Sequence, residues 1–203
     1  VIKAKRGGGE AKPLDGQTWA MIFTKSSTRT RVSFEVGIRE LGGSVMFLNA
    51  NDMQLGRGEP IKDTARVLGR MVHGAVIRTF AQADVEEFAE YSGIPTINAL
   101  TDDEHPCQIL TDIFTFQERR GPIRGKVVTY VGDGGCNVPV SWVHAAAALD
   151  FELRIAAPSE FQPSAETLAK AGGNISCTQD IRAAVKGADM VYTDVWVSMG
   201  MEA

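Results

Sequence analysis

Residues 19–41 read WAMIFTKSSTRTRVSFEVGIREL, and this stretch decides how the chain folds. Its first five residues are apolar, as in a short buried strand. A polar turn follows at residues 24–31. Apolar side chains then return at helical spacing, at Val32, Phe34, Val36, Ile38 and Leu41. Because Gly42-Gly43 predicts a helix end, the stretch predicts a strand, a turn and a helix, which together begin a βαβ unit.

The same alternation continues to the end of the chain. Predicted strands cover residues 44–48, 75–80, 94–100, 126–131, 152–156, 174–178 and 190–192, and predicted helices cover residues 61–71, 84–91, 106–119, 138–149, 163–171 and 180–185. Gly121-Pro122 ends the helix over residues 106–119. The pattern predicts an α/β fold with two consecutive parallel-sheet α/β domains, helices on both faces, and domain limits of 1–121 and 122–203.

Composition excludes several classes of protein. The 203 residues include 21 Lys+Arg and 25 Asp+Glu, which gives a net charge of −4, and 44% are hydrophobic, so the chain is too apolar for disorder. It has neither the basic surface of a nucleic-acid binder nor an apolar run long enough for a membrane span or a secretory signal. We therefore expect a cytoplasmic protein. Cys107, Cys136 and Cys177 lack zinc or redox spacing, which favours reduced thiols.

The turn Ser27-Thr28-Arg29-Thr30-Arg31 places three hydroxyls and two guanidiniums at the predicted start of a helix. Unpaired backbone N–H groups and the helix dipole favour an anion there. An ordinary N-cap needs one hydroxyl, and two arginines in a first turn oppose the dipole unless an anion compensates for them. The turn therefore predicts a phosphate site.

His105-Pro106-Cys107-Gln108 follows the predicted strand 94–100. Proline suits the first position of a helix, so His105 and Gln108 are predicted at a helix N-terminus beyond the carboxyl end of a strand, where open α/β sheets bind ligands. A lone histidine is more often structural than catalytic, but this position favours the two roles about equally. His73, read as a helix-end residue, and His144, read as part of a packed helix face, have no such setting.

Two further motifs follow strands in the second half of the chain. The turn Gly132-Asp133-Gly134-Gly135-Cys136-Asn137 is rich in glycine but lacks the Gly-x-Gly-x-x-Gly spacing, which disfavours a dinucleotide site. The segment Asp194-Val195-Trp196-Val197-Ser198-Met199-Gly200 is compatible with an ordinary loop when taken alone.

In this order, the four motifs resemble those of the aspartate/ornithine carbamoyltransferase superfamily, and the segment 194–200 is similar to the ornithine carbamoyltransferase branch. The resemblance runs from about residue 19 to the last residue. It implies transfer of the carbamoyl group of carbamoyl phosphate to the side-chain amine of L-ornithine, giving L-citrulline and phosphate in arginine biosynthesis. It implies no cofactor or metal, a Rossmann-like second domain, and a homotrimer or a multiple of trimers.

The resemblance also implies roles for individual residues. Carbamoyl phosphate would contact Ser27, Thr28, Arg29, Thr30, Gln54, Arg78, His105 and Gln108, with Gln54 reaching the site of a neighbouring subunit. The catalytic groups among them would be Arg29, Arg78, His105 and Gln108. Ornithine would contact Asn137, Asp194, Ser198 and Met199.

The sequence departs from the family pattern in three places. Family members continue to a His-Cys-Leu-Pro motif and a later arginine, and they carry an N-terminal helix before the first strand. This sequence lacks the His-Cys-Leu-Pro motif and the later arginine, and its N-terminal helix is absent or cut short, so we expect a fragment with a truncated second domain. Cys136 also stands where related chains often have a second asparagine.

Two alternative functions stay open: a carbamoyltransferase with another acceptor (aspartate, putrescine or N-acylated ornithine), and a non-catalytic α/β protein that binds an anion.

Overall fold

Two parallel four-stranded sheets organise the chain in a computed structural model that describes residues 11–49, 53 and 58–195. The chain divides into two compact units between Thr101 and Asp102. The first unit contains β1 (Thr18–Phe23), α1 (Thr28–Glu40), β2 (Ser44–Asn49), α2 (Ile61–Leu68), β3 (Gly74–Arg78), α3 (Gln82–Ser92) and β4 (Thr96–Leu100). The predicted α/β fold is confirmed.

In the first sheet the strand order is β2-β1-β3-β4, and every pair is parallel. Alternate residues of a strand point to opposite faces, so the core forms two clusters. Ile22 lies in a cluster with Phe88 of α3, whereas Met21 lies in another cluster with Ile38 of α1. Helices therefore cover both faces of this sheet.

The second unit contains α4 (Pro106–Arg120), β5 (Val127–Val131), α5 (Asn137–Leu149), β6 (Glu152–Ala156), a 3₁₀ turn (Ser159–Phe161), α6 (Ala165–Ala171), β7 (Ile175–Thr178), α7 (Ile181–Val185) and β8 (Met190–Tyr192). The strand order is β7-β6-β5-β8, again parallel. Tyr130 and Trp142 lie in its core, and on the other face of β5 the Thr129 hydroxyl donates to the carbonyl of Ala184 in α7 at 2.8 Å.

The helix α4 packs with the second sheet. Its Ile109, Ile113 and Phe116 are buried in the same cluster as Trp142. The compact units therefore divide before α4, whereas the sequence placed the functional boundary after it, at residues 121 and 122. That functional boundary stays a prediction.

Each predicted strand and helix is present, and side-chain exposure shows which face of a helix is covered. Val32 and Val36 are 53% and 44% exposed, because Phe34 and Ile38 form the face of α1 that packs on the sheet. Two residues along a helix turn the side chain by about 200°, so the valines lie opposite that face. Leu110 of α4 is 64% exposed, although its helix buries Ile109, Ile113 and Phe116.

The prediction for His144 was wrong. Its side chain is exposed, with Nε2 3.6 Å from Oε1 of Glu104. His73 lies after α2, where its Nδ1 accepts the backbone N–H of Thr18 at 3.1 Å.

Within the ranges that the structure describes, no helix has both the length and the apolarity needed to cross a bilayer.

The glycine-rich turn after β5 is explained by packing. A Cβ atom at Gly134 would lie 2.8 Å from Cγ2 of Ile155 and 2.9 Å from the carbonyl oxygen of Phe161. At Gly135 the nearest atom would be Oδ1 of Asp133, at an ordinary 3.4 Å. Gly134 is therefore required because the turn packs closely against β6 and the 3₁₀ turn.

Replacing Gly134 with alanine is expected to lower the free energy of unfolding by about 1–3 kcal/mol, because backbone must shift to admit the methyl group. The matched control Gly135→Ala should cost less than about 1 kcal/mol. Urea denaturation followed by circular dichroism measures both changes. Equal losses in the two variants would refute the packing explanation.

Candidate functional site

The first sheet has its topological switch point between β1 and β3, since the chain leaves β1 in one direction to β2 and returns on the other side to β3. Ligands bind beyond the carboxyl ends of such strands. Phe23 and Arg78, the last residues of these strands, lie side by side in the register. The following residue, Thr24, donates its N–H to the Arg78 carbonyl at 2.9 Å and its hydroxyl to Thr79 at 3.1 Å. The turn that enters α1 is therefore tied to the end of β3.

Helix α1 begins inside the Ser27–Arg31 motif. Ser27 is the N-cap, with extended backbone angles, and its Oγ accepts the N–H of Thr30 at 3.3 Å and donates to Oγ1 of Thr30 at 2.9 Å. The earlier amides of a helix have no acceptors within it, so those of Thr28 and Arg29 are suited to an anion. The first turn contains no acidic residue that would compete.

The two arginines of the motif have different environments. The guanidinium of Arg31 lies 3.6 Å from the ring centroid of Phe47, and its Nε is 3.8 Å from Oε2 of Glu35. Arg31 is therefore engaged by β2 and by its own helix. Arg29 is exposed, and among the described residues it has no ion-pair partner. Of the two, Arg29 is the arginine available to a ligand.

Arg78 is a buried cation at the same sheet edge. Its side chain is 3% exposed, and its Nε has no hydrogen-bond partner among the residues that the structure describes. Burial lowers the pKa of its guanidinium from the ordinary value. Burying an unpaired charge is costly, so this position is explained best by an anion that pairs with the guanidinium when bound.

A cavity of about 540 Å³ opens beside this turn. Its lining includes Phe23, Thr24, Ser27, Thr28 and Arg31. In the same turn Lys25 places its Nζ 4.4 Å from the ring centroid of Phe80, which adds another positive charge at this edge. The first unit thus combines a helix N-terminus, hydroxyls and cations around a volume sufficient for a small anion.

His105 is the N-cap of α4 in the second unit, and Pro106 occupies the first helical position as predicted. The backbone N–H of His105 donates to Oγ of Ser141 at 2.7 Å, and Ser141 in turn donates to the carbonyl of Asn137 at 2.8 Å. Ser141 is 5% exposed. This buried hydroxyl therefore links two of the predicted site residues, His105 and Asn137.

Gln108 lies in the first turn of α4, and its side chain is held by a neighbouring carboxylate. Its Nε2 donates to both oxygens of Asp112, at 3.1 and 3.2 Å. Tyr192, at the end of β8, lies close to Asp112. Burial raises the pKa of Asp112 and the charge of Asp194 adds to the increase, whereas the Gln108 amide and the Tyr192 hydroxyl oppose it.

The second sheet has its switch point between β5 and β8. The turn after β5 leads to Asn137, the first residue of α5, with Cys136 as N-cap. Beyond β8, Asp194 is exposed, and its Oδ1 accepts the N–H of Val195 at 2.8 Å. Asn137 and Asp194 are the predicted ornithine contacts among the described residues. They follow β5 and β8, the strands that flank this switch point, where ligands are expected to bind.

Three predicted site residues, Gln54, Ser198 and Met199, lie outside the described residues. Among the residues that the structure does describe, no group of three or more His, Cys, Asp or Glu side chains is arranged to hold a metal ion. Burial raises the pKa of the Cys107 thiol to about 11, so this cysteine is a poor nucleophile at neutral pH.

Sequence reasoning missed Ser141, Asp112 and Tyr192. Asp112 stands four residues after Gln108, and Ser141 stands four residues after Asn137. Residues at this spacing are neighbours on a helix, so both could have been found from the motifs themselves. Tyr192 reaches Asp112 only through the tertiary fold, and no local pattern signals it.

The fold and these groups define a class of protein with two tandem parallel α/β units, each of which has polar side chains at its switch point. A family model, "Aspartate/ornithine carbamoyltransferase, carbamoyl-P binding domain", matches residues 2–118, and a second, "Aspartate/ornithine carbamoyltransferase, Asp/Orn binding domain", matches residues 124–203. The chain belongs to the aspartate/ornithine carbamoyltransferase family.

Individual relatives agree with the family models. An ornithine carbamoyltransferase of Akkermansia muciniphila is 60% identical over 100% of this chain and 67% of its own length. An anabolic ornithine carbamoyltransferase of Pseudomonas aeruginosa is 52% identical, with coverage of 94% and 62%. The chain thus spans about two thirds of the length of the curated relatives it matches.

Solved structures show the same architecture. The ornithine carbamoyltransferase of Burkholderia thailandensis superimposes with a TM-score of 0.89 at 48% identity, over 96% of this chain and 67% of the other. The ornithine carbamoyltransferase of Pyrococcus furiosus also gives 0.89, at 45% identity, over 100% of this chain and 66% of the other.

Proposed function

We propose that this chain is part of an ornithine carbamoyltransferase, which transfers the carbamoyl group of carbamoyl phosphate to the side-chain amine of L-ornithine and releases L-citrulline and phosphate. The observation that carries the proposal is the buried guanidinium of Arg78 at the carboxyl end of β3, whose Nε has no hydrogen-bond partner among the described residues. The names of the relatives supply the acceptor, ornithine.

The phosphate end of the substrate is assigned to the first unit. The amides of Thr28 and Arg29 would donate to its oxygens, as would the hydroxyls of Ser27, Thr28 and Thr30. The guanidiniums of Arg29 and Arg78 would neutralise its charge. Negative charge grows on the leaving phosphate and on the carbonyl oxygen as the amine attacks the carbonyl carbon. Donors already in place there stabilise the transition state more than the ground state.

The carbamoyl end is assigned to Arg78, His105 and Gln108. His105 would donate a hydrogen bond to the carbonyl oxygen, where negative charge develops. Its backbone is fixed by the hydrogen bond to Ser141, so the imidazole begins from a defined position at the start of α4. A group held in this way loses little entropy when the substrate binds.

The acceptor amine must lose a proton before it attacks. An alkylammonium has a pKa near 10.4, so deprotonation at pH 7 costs about 4–5 kcal/mol. A carboxylate near the amine would increase that cost, whereas nearby cations decrease it. We therefore assign Asp194 to the α-ammonium group of ornithine, together with Asn137, Ser198 and Met199, and away from the reacting nitrogen.

The remaining parts of the proposal concern the whole protein. We place it in the cytoplasm and in arginine biosynthesis, a role supported by relatives named anabolic. We also propose a homotrimer or a multiple of trimers, in which Gln54 of each subunit contacts carbamoyl phosphate in a neighbouring site. Analytical ultracentrifugation of the whole gene product would test the trimer.

Citrulline formation by the whole gene product tests the proposed reaction. With carbamoyl phosphate present, ornithine should be carbamoylated, and aspartate, putrescine and N-acetylornithine should react at least about 10²-fold more slowly, since a site built to pair polar groups rejects analogues that leave them unpaired. Preference for one of the other acceptors would identify a different carbamoyltransferase. No turnover with any of them would favour a non-catalytic anion-binding protein.

Arg29→Ala tests the anion site independently of turnover. We expect phosphate affinity to fall about tenfold or more, because a charge-assisted contact is lost. Arg39→Ala is the control, since Arg39 is an exposed arginine in the last turn of the same helix, paired with Glu35 at 3.1 Å. Isothermal titration with inorganic phosphate measures both. If Arg29→Ala leaves the affinity unchanged, the turn is only a helix cap.

A further inference from the structure

The side-chain amide of Gln108 has one orientation imposed on it by the fold. An ionised carboxylate can only accept hydrogen bonds, so Asp112 requires the NH₂ group of Gln108 to face it. Nε2 of Gln108 lies 3.1 and 3.2 Å from the two oxygens of Asp112. Because the amide is planar and trigonal, its Oε1 is directed away from Asp112, and no donor among the described residues bonds to it.

A second side chain lies close to Asp112. The hydroxyl of Tyr192 is near enough to lower the pKa of the Asp112 carboxyl, against the larger increase that burial causes. The ring of Tyr192 is stacked on Tyr130, with centroids 6.0 Å apart, and meets Trp142 edge-on at 5.5 Å. Tyr130 and Trp142 are buried at 1% and 0% exposure. The core of the second unit therefore fixes the position of the tyrosine ring beside Asp112.

We propose that Asp112 is a positioning residue for substrate selection, because it holds Gln108 with Oε1 presented as the acceptor for an N–H of the carbamoyl group. This inference rests on the proposed function, which assigns Gln108 to the carbamoyl end. An amide turned the other way would set its own N–H groups against those of the substrate. The arrangement thus selects a carbamoyl group, with its NH₂, over an acetyl group, with CH₃ in the same place.

Titration calorimetry of the whole gene product with carbamoyl phosphate and with acetyl phosphate tests the proposal. In Asp112→Leu, which has a similar shape and no acceptor, the dissociation constant for carbamoyl phosphate should rise about 5- to 10-fold. The constant for acetyl phosphate should change less than about 2-fold, since its methyl group makes no hydrogen bond with Oε1. Selectivity between the two ligands should fall by the ratio of these changes.

Three further variants separate positioning from general structural damage. Asp112→Asn can still offer Oδ1 to Gln108, so it should keep selectivity within about 2-fold of the parent. Tyr192→Phe removes only the hydroxyl close to Asp112 and should reduce selectivity about 2- to 3-fold. Glu118→Gln, which neutralises an exposed carboxylate on α4, should change nothing.

A double-mutant cycle provides the strictest test. If Asp112 acts through Gln108, then Asp112→Leu should not reduce selectivity further in a Gln108→Ala background. Three results would overturn the proposal. Asp112→Leu could reduce selectivity further in the Gln108→Ala background, or it could weaken the binding of both ligands equally. The parent protein could also bind carbamoyl phosphate and acetyl phosphate with equal affinity. A parent that is selective in binding but forms no citrulline would instead refute the proposed function and leave this inference standing.

Discussion

Replacing Arg78 with methionine is expected to reduce kcat/KM for carbamoyl phosphate by about 10³-fold and to make the protein more stable. The loss of activity follows because a preformed cation near developing negative charge is worth about 3–4 kcal/mol in a transition state. The gain in stability follows because Arg78 is 3% exposed and has no anionic partner among the described residues. Removing a buried, unpaired charge should raise the free energy of unfolding by about 1–2 kcal/mol.

Steady-state kinetics and urea denaturation in the absence of phosphate measure these opposite changes. Arg70→Met is the control, because Arg70 is an exposed arginine of the same unit and its loss should change stability by less than about 0.5 kcal/mol and leave kcat/KM intact. Saturating phosphate should stabilise the parent more than Arg78→Met, since binding to the folded state alone raises stability. A less stable Arg78→Met protein would show that the guanidinium is structural.

Truncating Trp142 to alanine is expected to destabilise the second unit by about 3–5 kcal/mol, which is the usual cost of removing a large buried aromatic side chain. Trp142 is 0% exposed and meets the rings of Phe151 and Tyr192 edge-on, with centroids 5.9 and 5.5 Å apart. The cavity would also release Tyr192, whose hydroxyl lies close to Asp112. Urea denaturation followed by far-ultraviolet circular dichroism measures the loss of stability.

Trp142→Phe separates the packing of the ring from its polar N–H. The buried Nε1 of Trp142 has no acceptor among the residues that the structure describes. Phenylalanine removes this unpaired donor and keeps most of the aromatic surface, so the variant should lose only about 1–2 kcal/mol. A loss as large as that of the alanine variant would indicate that Nε1 makes a hydrogen bond that contributes to stability.

Much of the fold follows from sequence because each βα unit is encoded locally. The alternation of apolar runs with amphipathic stretches predicts every strand and helix, since strand and helix periods differ and glycine or proline separates them. The spacing does not determine which side of a helix packs against the sheet. The spacing of Val32 and Val36 is helical, yet they are exposed, because the position of the sheet decides which side of α1 is covered.

Some features of the candidate site also follow from the sequence, whereas others depend on the tertiary structure. Sequence alone determines that Ser27 to Arg31 and His105 to Gln108 begin helices, because capping hydroxyls and a proline at the first position are local signals. Only the tertiary structure distinguishes the two arginines of the turn, since Arg31 packs on Phe47 of a different strand. It also decides the burial of Arg78 and the orientation of Gln108, because both depend on strands and helices that are distant in sequence and meet only when the sheets form.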